Sequence, residues 1–333
     1  MTVLSLVLYV LAVVAGLILF GLYRQRSESA KEELVSDDAV YTRYKVKPSI
    51  FSVLGIQYYG NSNYFCSFDD HFESFDAVSK ACRRAGLEHC QLIVGVDFTA
   101  SNEWQGRKTF NGQCLHKIWP GKVLNPYQKV ISILGQTLEP FDEDKLIPAF
   151  GFGDTKTMNQ DVFYLNPSEN PCYGFHEVLE RYNEAVRNIT LSGPTTFCPI
   201  IEKAIEIVKE KNTYHILVII ADGQINEQGE TVRAIVEASE YPLSIIVVGV
   251  GDGPWDIMEE FDNCLPRRKF DNFQFVDYHG TVGKSKHPEA VFALHALMEV
   301  PDQYKTIRNL GYLQKEDKFY GIMGGNYKIE SNV

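Results

Sequence analysis

No Cys-x-x-Cys pair occurs in this sequence. Its seven cysteines, Cys66, Cys82, Cys90, Cys114, Cys172, Cys198 and Cys264, are odd in number and scattered. That spacing leaves zinc fingers, RING-type sites and thioredoxin-like motifs without support. It predicts reduced thiols packed as small apolar groups, as in the cytosol. The eight histidines contain no His-Glu-x-x-His or other paired metal spacing, and His215 and His295 read as structural. Positive charge is scarce: 32 Lys and Arg against 43 Asp and Glu give a net charge of -11. That balance argues against nucleic-acid binding, which favours a basic face. There is no low-complexity stretch and no repeat at solenoid or propeller periods. Gly249, Gly251 and Gly253 are spaced GxGxG and followed by Pro254, which departs from the dinucleotide fingerprint and predicts a strand-end turn instead.

At the amino end stands a long uncharged run, VLSLVLYVLAVVAGLILFGLY, from Val3 to Tyr23. A helix of about twenty such residues rises roughly 30 Å, the thickness of a bilayer core. No Lys or Arg precedes it and it is longer than the apolar core of a signal peptide, so residues 1–23 predict a transmembrane anchor. Arg24, Arg26 and Lys31 follow directly, and the positive-inside rule then puts the remainder in the cytosol. A signal peptide would instead make it lumenal or secreted, the direction in which the single sequon Asn188-Ile-Thr190 points. Residues 24–45 are charged and read as a linker. Residues 46–72 carry no assignable pattern. Residues 73–312 form the folded domain, and 313–333 a carboxyl-terminal tail.

From residue 73 onward the periodicity is regular. ESFDAVSKACRRAG, NPYQKVISILGQTL with Pro126 at its start, GFHEVLERYNEAVRN, CPIIEKAIEIVKEKN, ETVRAIVEASE, PWDIMEEFDNC and HPEAVFALHALME have helical spacing. QLIVGVD, KLIPAFGFGD, DVFYL, YHILVIIAD, LSIIVVGVG and FQFVDY read as strands, several apolar at nearly every position, as befits strands covered on both faces. Strands alternating with helices predict an α/β fold with a doubly wound, mainly parallel sheet flanked by helices. Such a sheet carries its function at the carboxyl ends of its strands.

Two strand ends offer carboxylates. GVDFTASNEW places Asp97 at the end of an apolar run, with the hydroxyls of Thr99 and Ser101 at alternate positions and no base beside them. VIIADGQI ends in Asp222 before Gly223. Between them, LSGPTTF presents Thr195 and Thr196 just before a helix. Oxygen donors alone select hard cations, Mg²⁺ first, with Mn²⁺ or Ca²⁺ as alternatives. A cation held by hydroxyls and few carboxylates stays partly unneutralised, so a carboxylate from a partner can complete its shell. Beside the motif, the segment Asn102–Asn125 mixes Trp104, Phe110 and Trp119 with Arg107, Lys108, His116, Lys117 and Lys122. Trp104, Arg107 and Lys108 are the candidates for a basic, aromatic partner-binding rim.

Asp97-Phe98-Thr99-Ala100-Ser101 resembles the metal-ion-dependent adhesion motif of von Willebrand factor A domains, with Thr in place of the first Ser. Gly193-Pro194-Thr195 resembles the threonine loop of that motif, and Ala221-Asp222-Gly223 its final Asp-Gly. GVDFTASNEW, LSGPTTFCPII, FGFGD, VIIADGQI, VVGVGDGPW and FDNFQFVDY are similar to the A domain of copines and of the plant RING-domain ubiquitin ligases that share it. The resemblance covers roughly residues 70–312. It implies a Mg²⁺ site formed by Asp97, Thr99, Ser101, Thr195 and Asp222, with Thr196 as the alternative to Thr195. Copines carry C2 domains, for which there is no room before residue 70, and no cysteine follows Cys264 to build a RING.

The resulting expectation is a non-enzymatic, membrane-anchored interaction module that captures protein partners offering an acidic side chain. Two other classes compete. One is a scaffold for a ubiquitin ligase without its own RING. The other is a metal-dependent phosphohydrolase using Asp97 as nucleophile, disfavoured because Thr99 stands where such enzymes place a second acid.

Overall fold

The computed structural model describes residues 75–313, apart from 86, 88–89, 120, 122, 143, 224 and 284–286. The expected anchor (1–23), linker (24–45), unassigned extension (46–72) and residues 314–333 of the tail lie outside the described residues. None of the described helices is long and apolar enough to cross a membrane.

The described elements begin with α1 (Phe75–Ala85) and β1 (Gln91–Asp97), followed by α2 (Pro126–Thr137). Then come β2 (Leu146–Ile147), β3 (Ala149–Phe152), β4 (Val162–Tyr164) and β5 (Cys172–Tyr173). After α3 (Gly174–Ala185) and α4 (Cys198–Lys211) the chain alternates through β6 (His215–Ala221), α5 (Gln228–Ala238), β7 (Leu243–Gly249), α6 (Asp256–Cys264) and β8 (Phe273–Asp277). The short α7 (Tyr278–Val282), α8 (Pro288–Leu297) and α9 (Val300–Asn309) close it.

Among the described residues the main sheet has six strands in the order β4-β3-β1-β6-β7-β8. All neighbours run parallel except β4, which pairs antiparallel with β3 at the edge. The strand expected over KLIPAFGFGD is broken at Pro148, which donates no hydrogen bond and fixes its own φ. Its first half, β2, leaves the main sheet to pair with β5. Helix α9 is mostly polar, burying only Val300, Pro301, Gln303 and Ile307, and β5 is too short to signal itself.

Burial explains the strand sequences. All seven residues of β1, β6 and β7 are buried. Alternate side chains serve opposite faces: Leu92, Val94 and Val96 join the core formed with α2, α3 and α8, while Ile93 joins that formed with α4, α5 and α6. Each fully buried aliphatic side chain contributes about 1.5–3 kcal/mol, so a strand covered on both faces has no use for polar alternation. Gly95 lets α4 approach, since a Cβ there would lie 2.7 Å from Ile200 Cγ1. Helix α2 starts on a reciprocal cap: Asn125 Oδ1 accepts from Gln128 N, and Gln128 Oε1 accepts from Asn125 N, both at 2.8 Å, with Pro126 in the first turn. The six described cysteines are free thiols.

From β1 the chain moves outward through β3 to β4, then returns to the other flank of β1 as β6 and continues through β7 to β8. Strand order thus reverses between β1 and β6, where open α/β sheets leave a crevice at the carboxyl ends.

Candidate functional site

Asp97 ends β1 and Asp222 directly follows β6, so the reversal point brings the two predicted carboxylates together. Both have 0% exposure. Asp97 Oδ1 accepts from Thr99 N at 2.8 Å, turning the chain back on itself as aspartates do at strand ends. Asp97 Oδ2 accepts a long bond, 3.5 Å, from Asp222 N. One carboxylate therefore spans both loops. A 3₁₀ turn, Ala100–Glu103, curls the chain so that Ser101 Oγ lies 3.0 Å from Thr99 Oγ1.

The threonine loop is pinned to the same place. Thr99 and Ser192 form a parallel bridge, Ala100 N donates to Ser192 O, and Ser192 N donates to Phe98 O at 3.3 Å. Asn226, beyond β6, holds the loop from the other side: its Oδ1 accepts from Thr195 N and its own N donates to Thr195 O, each at 2.9 Å. Thr195 is thus engaged through its backbone. The Thr196 hydroxyl instead lies 3.2 Å from Thr231 Oγ1 and accepts from Cys198 N at the start of α4. The Thr196 hydroxyl is thus already engaged, which favours Thr195 over Thr196 as the candidate. Two glycines close the cradle. Gly223 has φ +82°, and a Cβ there would lie 1.9 Å from the Trp255 ring; Gly153 has φ +81°, and its Cβ would meet Thr99 Cγ2 at 2.3 Å. Only a residue without a side chain fits either position.

Behind the loop runs a buried network that no local sequence signal marks. His116 is stacked between Phe98 and Tyr127, with ring centroids 4.7 and 4.1 Å away. Its Nε2 lies 2.8 Å from Asp97 O and its Nδ1 2.9 Å from Tyr182 OH. A carbonyl can only accept, so Nε2 carries the proton and Nδ1 accepts from the tyrosine. Burial pushes the imidazole pKa down to about 3, against the raising effect of the Asp97 carbonyl, so the ring is neutral. Tyr182 OH in turn accepts from Asn125 Nδ2 at 3.1 Å, joining the cap of α2 to the chain. Asn102 adds a second tie, donating to Thr99 O and accepting from Tyr127 OH.

Burial also raises Asp97, to about 6, only partly offset by its hydrogen bonds to Thr99 and Asp222. Among the described residues its hydrogen-bond donors are all neutral, the Thr99 hydroxyl and amide groups of Thr99, Asp222 and Asn102. A fully buried carboxylate so placed calls for a counter-charge. The groups the structure brings to it, the Asp222 loop and the paired Thr99 and Ser101 hydroxyls, offer oxygen donors, which fits a hard divalent cation. No cluster of three or more His, Cys, Asp or Glu side chains suited to a metal occurs among the described residues.

The predicted rim divides. Trp104 is 47% and Trp119 39% exposed, and Arg107 and Lys108 are exposed. Phe110 and His116 point inward. Lys117 Nζ lies 4.4 Å from the Trp119 ring centre.

The model of the copine family matches residues 114–316. This chain belongs to the copine family. The match begins after Asp97, Thr99 and Ser101, but full-length relatives are similar over more of the chain. Copine family protein 2 of Caenorhabditis elegans is 52% identical over 247 residues, 73% of this chain and 3% of that protein. E3 ubiquitin-protein ligase RGLG5 of Arabidopsis thaliana is 52% identical over 260 residues, 73% of this chain and 60% of the ligase. The copine-family chain therefore spans less than two thirds of either relative. Among solved structures, von Willebrand factor type A from Catenulispora acidiphila aligns with 66% of this chain and 43% of its own, at 12% identity and TM-score 0.37, a likeness too distant to speak to chemistry.

Proposed function

We propose that this copine-family chain is a protein-interaction module whose β1–β6 site holds a divalent cation, Mg²⁺ in preference to Mn²⁺ or Ca²⁺. Thr99, Ser101 and Thr195 would be the hydroxyl ligands, with Asp97 and Asp222 bound directly or through water. The observation that carries this reading is the Asp97 carboxylate, fully buried beside two hydroxyls and linked to Asp222 N. When bound, the cation supplies an incompletely neutralised charge at the surface of the sheet edge, to which a partner's carboxylate can coordinate. The exposed Trp104, Arg107 and Lys108 lie next in sequence and suit an acidic partner segment. The apolar run Val3–Tyr23 would anchor the module, and the basic residues after it would face it to the cytosol.

The test is metal titration and partner capture with the full chain in detergent. The wild type should take up Mg²⁺ and bind proteins that are lost in chelator. Asp222→Ala should lose both while keeping its circular dichroism. Equal capture in Mg²⁺ and chelator sinks the reading.

The 52% identity to a protein named as a ubiquitin ligase favours one further reading: the module recruits targets for ubiquitin transfer. Partners enriched in ubiquitin-transfer enzymes would support it. A phosphohydrolase has less behind it, because Thr99, two residues beyond Asp97, offers no acid and its hydroxyl is engaged with Ser101.

A further inference from the structure

The segment VVGVGDGPW, a strand-end turn by its sequence, does more than reverse the chain. Three consecutive residues after β7 touch both loops that flank the site. Val250 N donates to Ala221 O at 2.9 Å, immediately before Asp222. Gly251 is wedged between the loops: a Cβ there would lie 3.1 Å from Gln105 Cβ and 3.3 Å from both Asp222 Cβ and Asp222 O. Asp252 then receives three hydrogen bonds from the rim, Lys108 N to Oδ2 at 2.8 Å, Thr109 N to Oδ1 at 2.9 Å and Thr109 Oγ1 to Oδ1 at 2.7 Å. Although partial burial alone would raise it, these bonds hold Asp252 below the usual carboxylate range. Further along the same turn, Trp255 covers Gly223.

The rim is itself tightly folded around Gly106, whose carbonyl accepts from Phe110 N at 3.0 Å and Gly112 N at 2.8 Å. Of its ties to the turn after β7, the Asp252 carboxylate supplies these three hydrogen bonds at a single point. Charge-assisted hydrogen bonds of this kind are about twice as strong as neutral ones.

We propose that Val250-Gly251-Asp252 is a strut that sets the partner-binding rim relative to the Asp222 loop, with Asp252 as its positioning residue. The inference rests on the metal reading above, because the strut matters when the ion and the rim meet one partner. Filling the site orders the Asp222 loop, and the strut passes that order to the rim without contributing a ligand.

The test uses the full chain in detergent: wild type, Asp252→Ala and Thr109→Val. Mg²⁺ binding is followed by calorimetry, and amide exchange over residues 105–113 is followed with and without Mg²⁺. In the wild type Mg²⁺ should slow exchange in this segment. In Asp252→Ala exchange should quicken about tenfold or more and stop responding to Mg²⁺, while Mg²⁺ affinity stays within roughly threefold. A merely structural residue would not remove the response at unchanged affinity. Thr109→Val, lacking one of the three bonds, should fall between, and it decides the matter if Asp252→Ala does not fold. Unchanged exchange in Asp252→Ala, or faster exchange still slowed equally by Mg²⁺, overturns the strut and leaves the metal site standing. No Mg²⁺ uptake by the wild type overturns the metal reading, and the calorimetry separates the two failures.

Discussion

A buried carboxylate among neutral donors is costly at neutral pH, and Asp97 makes the site's pH dependence calculable in sign. Burial lifts its pKa from 3.8 to about 6. A group raised on folding contributes stability that is fully present below its unfolded pKa and lost as pH climbs through the folded one. In chelator, the chain should therefore lose stability between pH 4 and 6 on this account. A cation reverses the balance, because the proton and the ion compete for one group. Mg²⁺ affinity should thus fall up to about tenfold per pH unit below 6 and level off above it. Calorimetry at three pH values checks this, and a flat affinity would contradict it. Asp97, Thr99, Ser101 and Asp222 were legible in the sequence because strand ends and hydroxyl spacing are local. Asn226 was not, since nothing in its neighbourhood says that it will hold Thr195.

At the scale of elements, the Asp97 loop is fixed by helices that approach it from far along the chain. His116 stands 19 residues from Asp97 and 66 from Tyr182. The relay from the cap of α2 through Tyr182 of α3 to the Asp97 carbonyl is a product of packing. Tyr182→Phe removes only the hydroxyl, leaving His116 Nδ1 without its donor and Asn125 Nδ2 without its acceptor. Loss of a buried partner costs about 1–3 kcal/mol, so the urea midpoint should drop measurably. Mg²⁺ affinity should fall as well, by up to about tenfold, as when a ligand loses its outer support. An unchanged midpoint would mean that water replaces the hydroxyl. The helices and central strands were readable because their burial is periodic. Pro148 split one strand, and β5 and α9 escaped because two residues, or a polar helix, carry too little pattern.

At the scale of the molecule, the charge flanks and the single sequon favour opposite sides of a membrane for a domain anchored as proposed. The structure makes the sequon usable as a reporter: Asn188 is exposed, three residues past the end of α3, where its Nδ2 donates to Glu184 O at 3.0 Å. Chain made in cells that glycosylate should show no mobility shift on glycosidase treatment if the domain faces the cytosol. A shift abolished by Asn188→Gln would reverse the topology and, with it, the class of partner.

The sequence by itself determined the α/β class and the copine kinship, together with two strand-end carboxylates and their hydroxyl neighbours. Those features rest on periodicity and short spacing, which act within a few residues. Tertiary structure alone decided that the Thr196 hydroxyl is engaged with Thr231, that His116 is a neutral buried support rather than part of the rim, and that Asp252 grips Lys108 and Thr109 across 144 and 143 residues. Those outcomes depend on which strands become neighbours. The reversal of strand order between β1 and β6 sets that, and no local pattern encodes it.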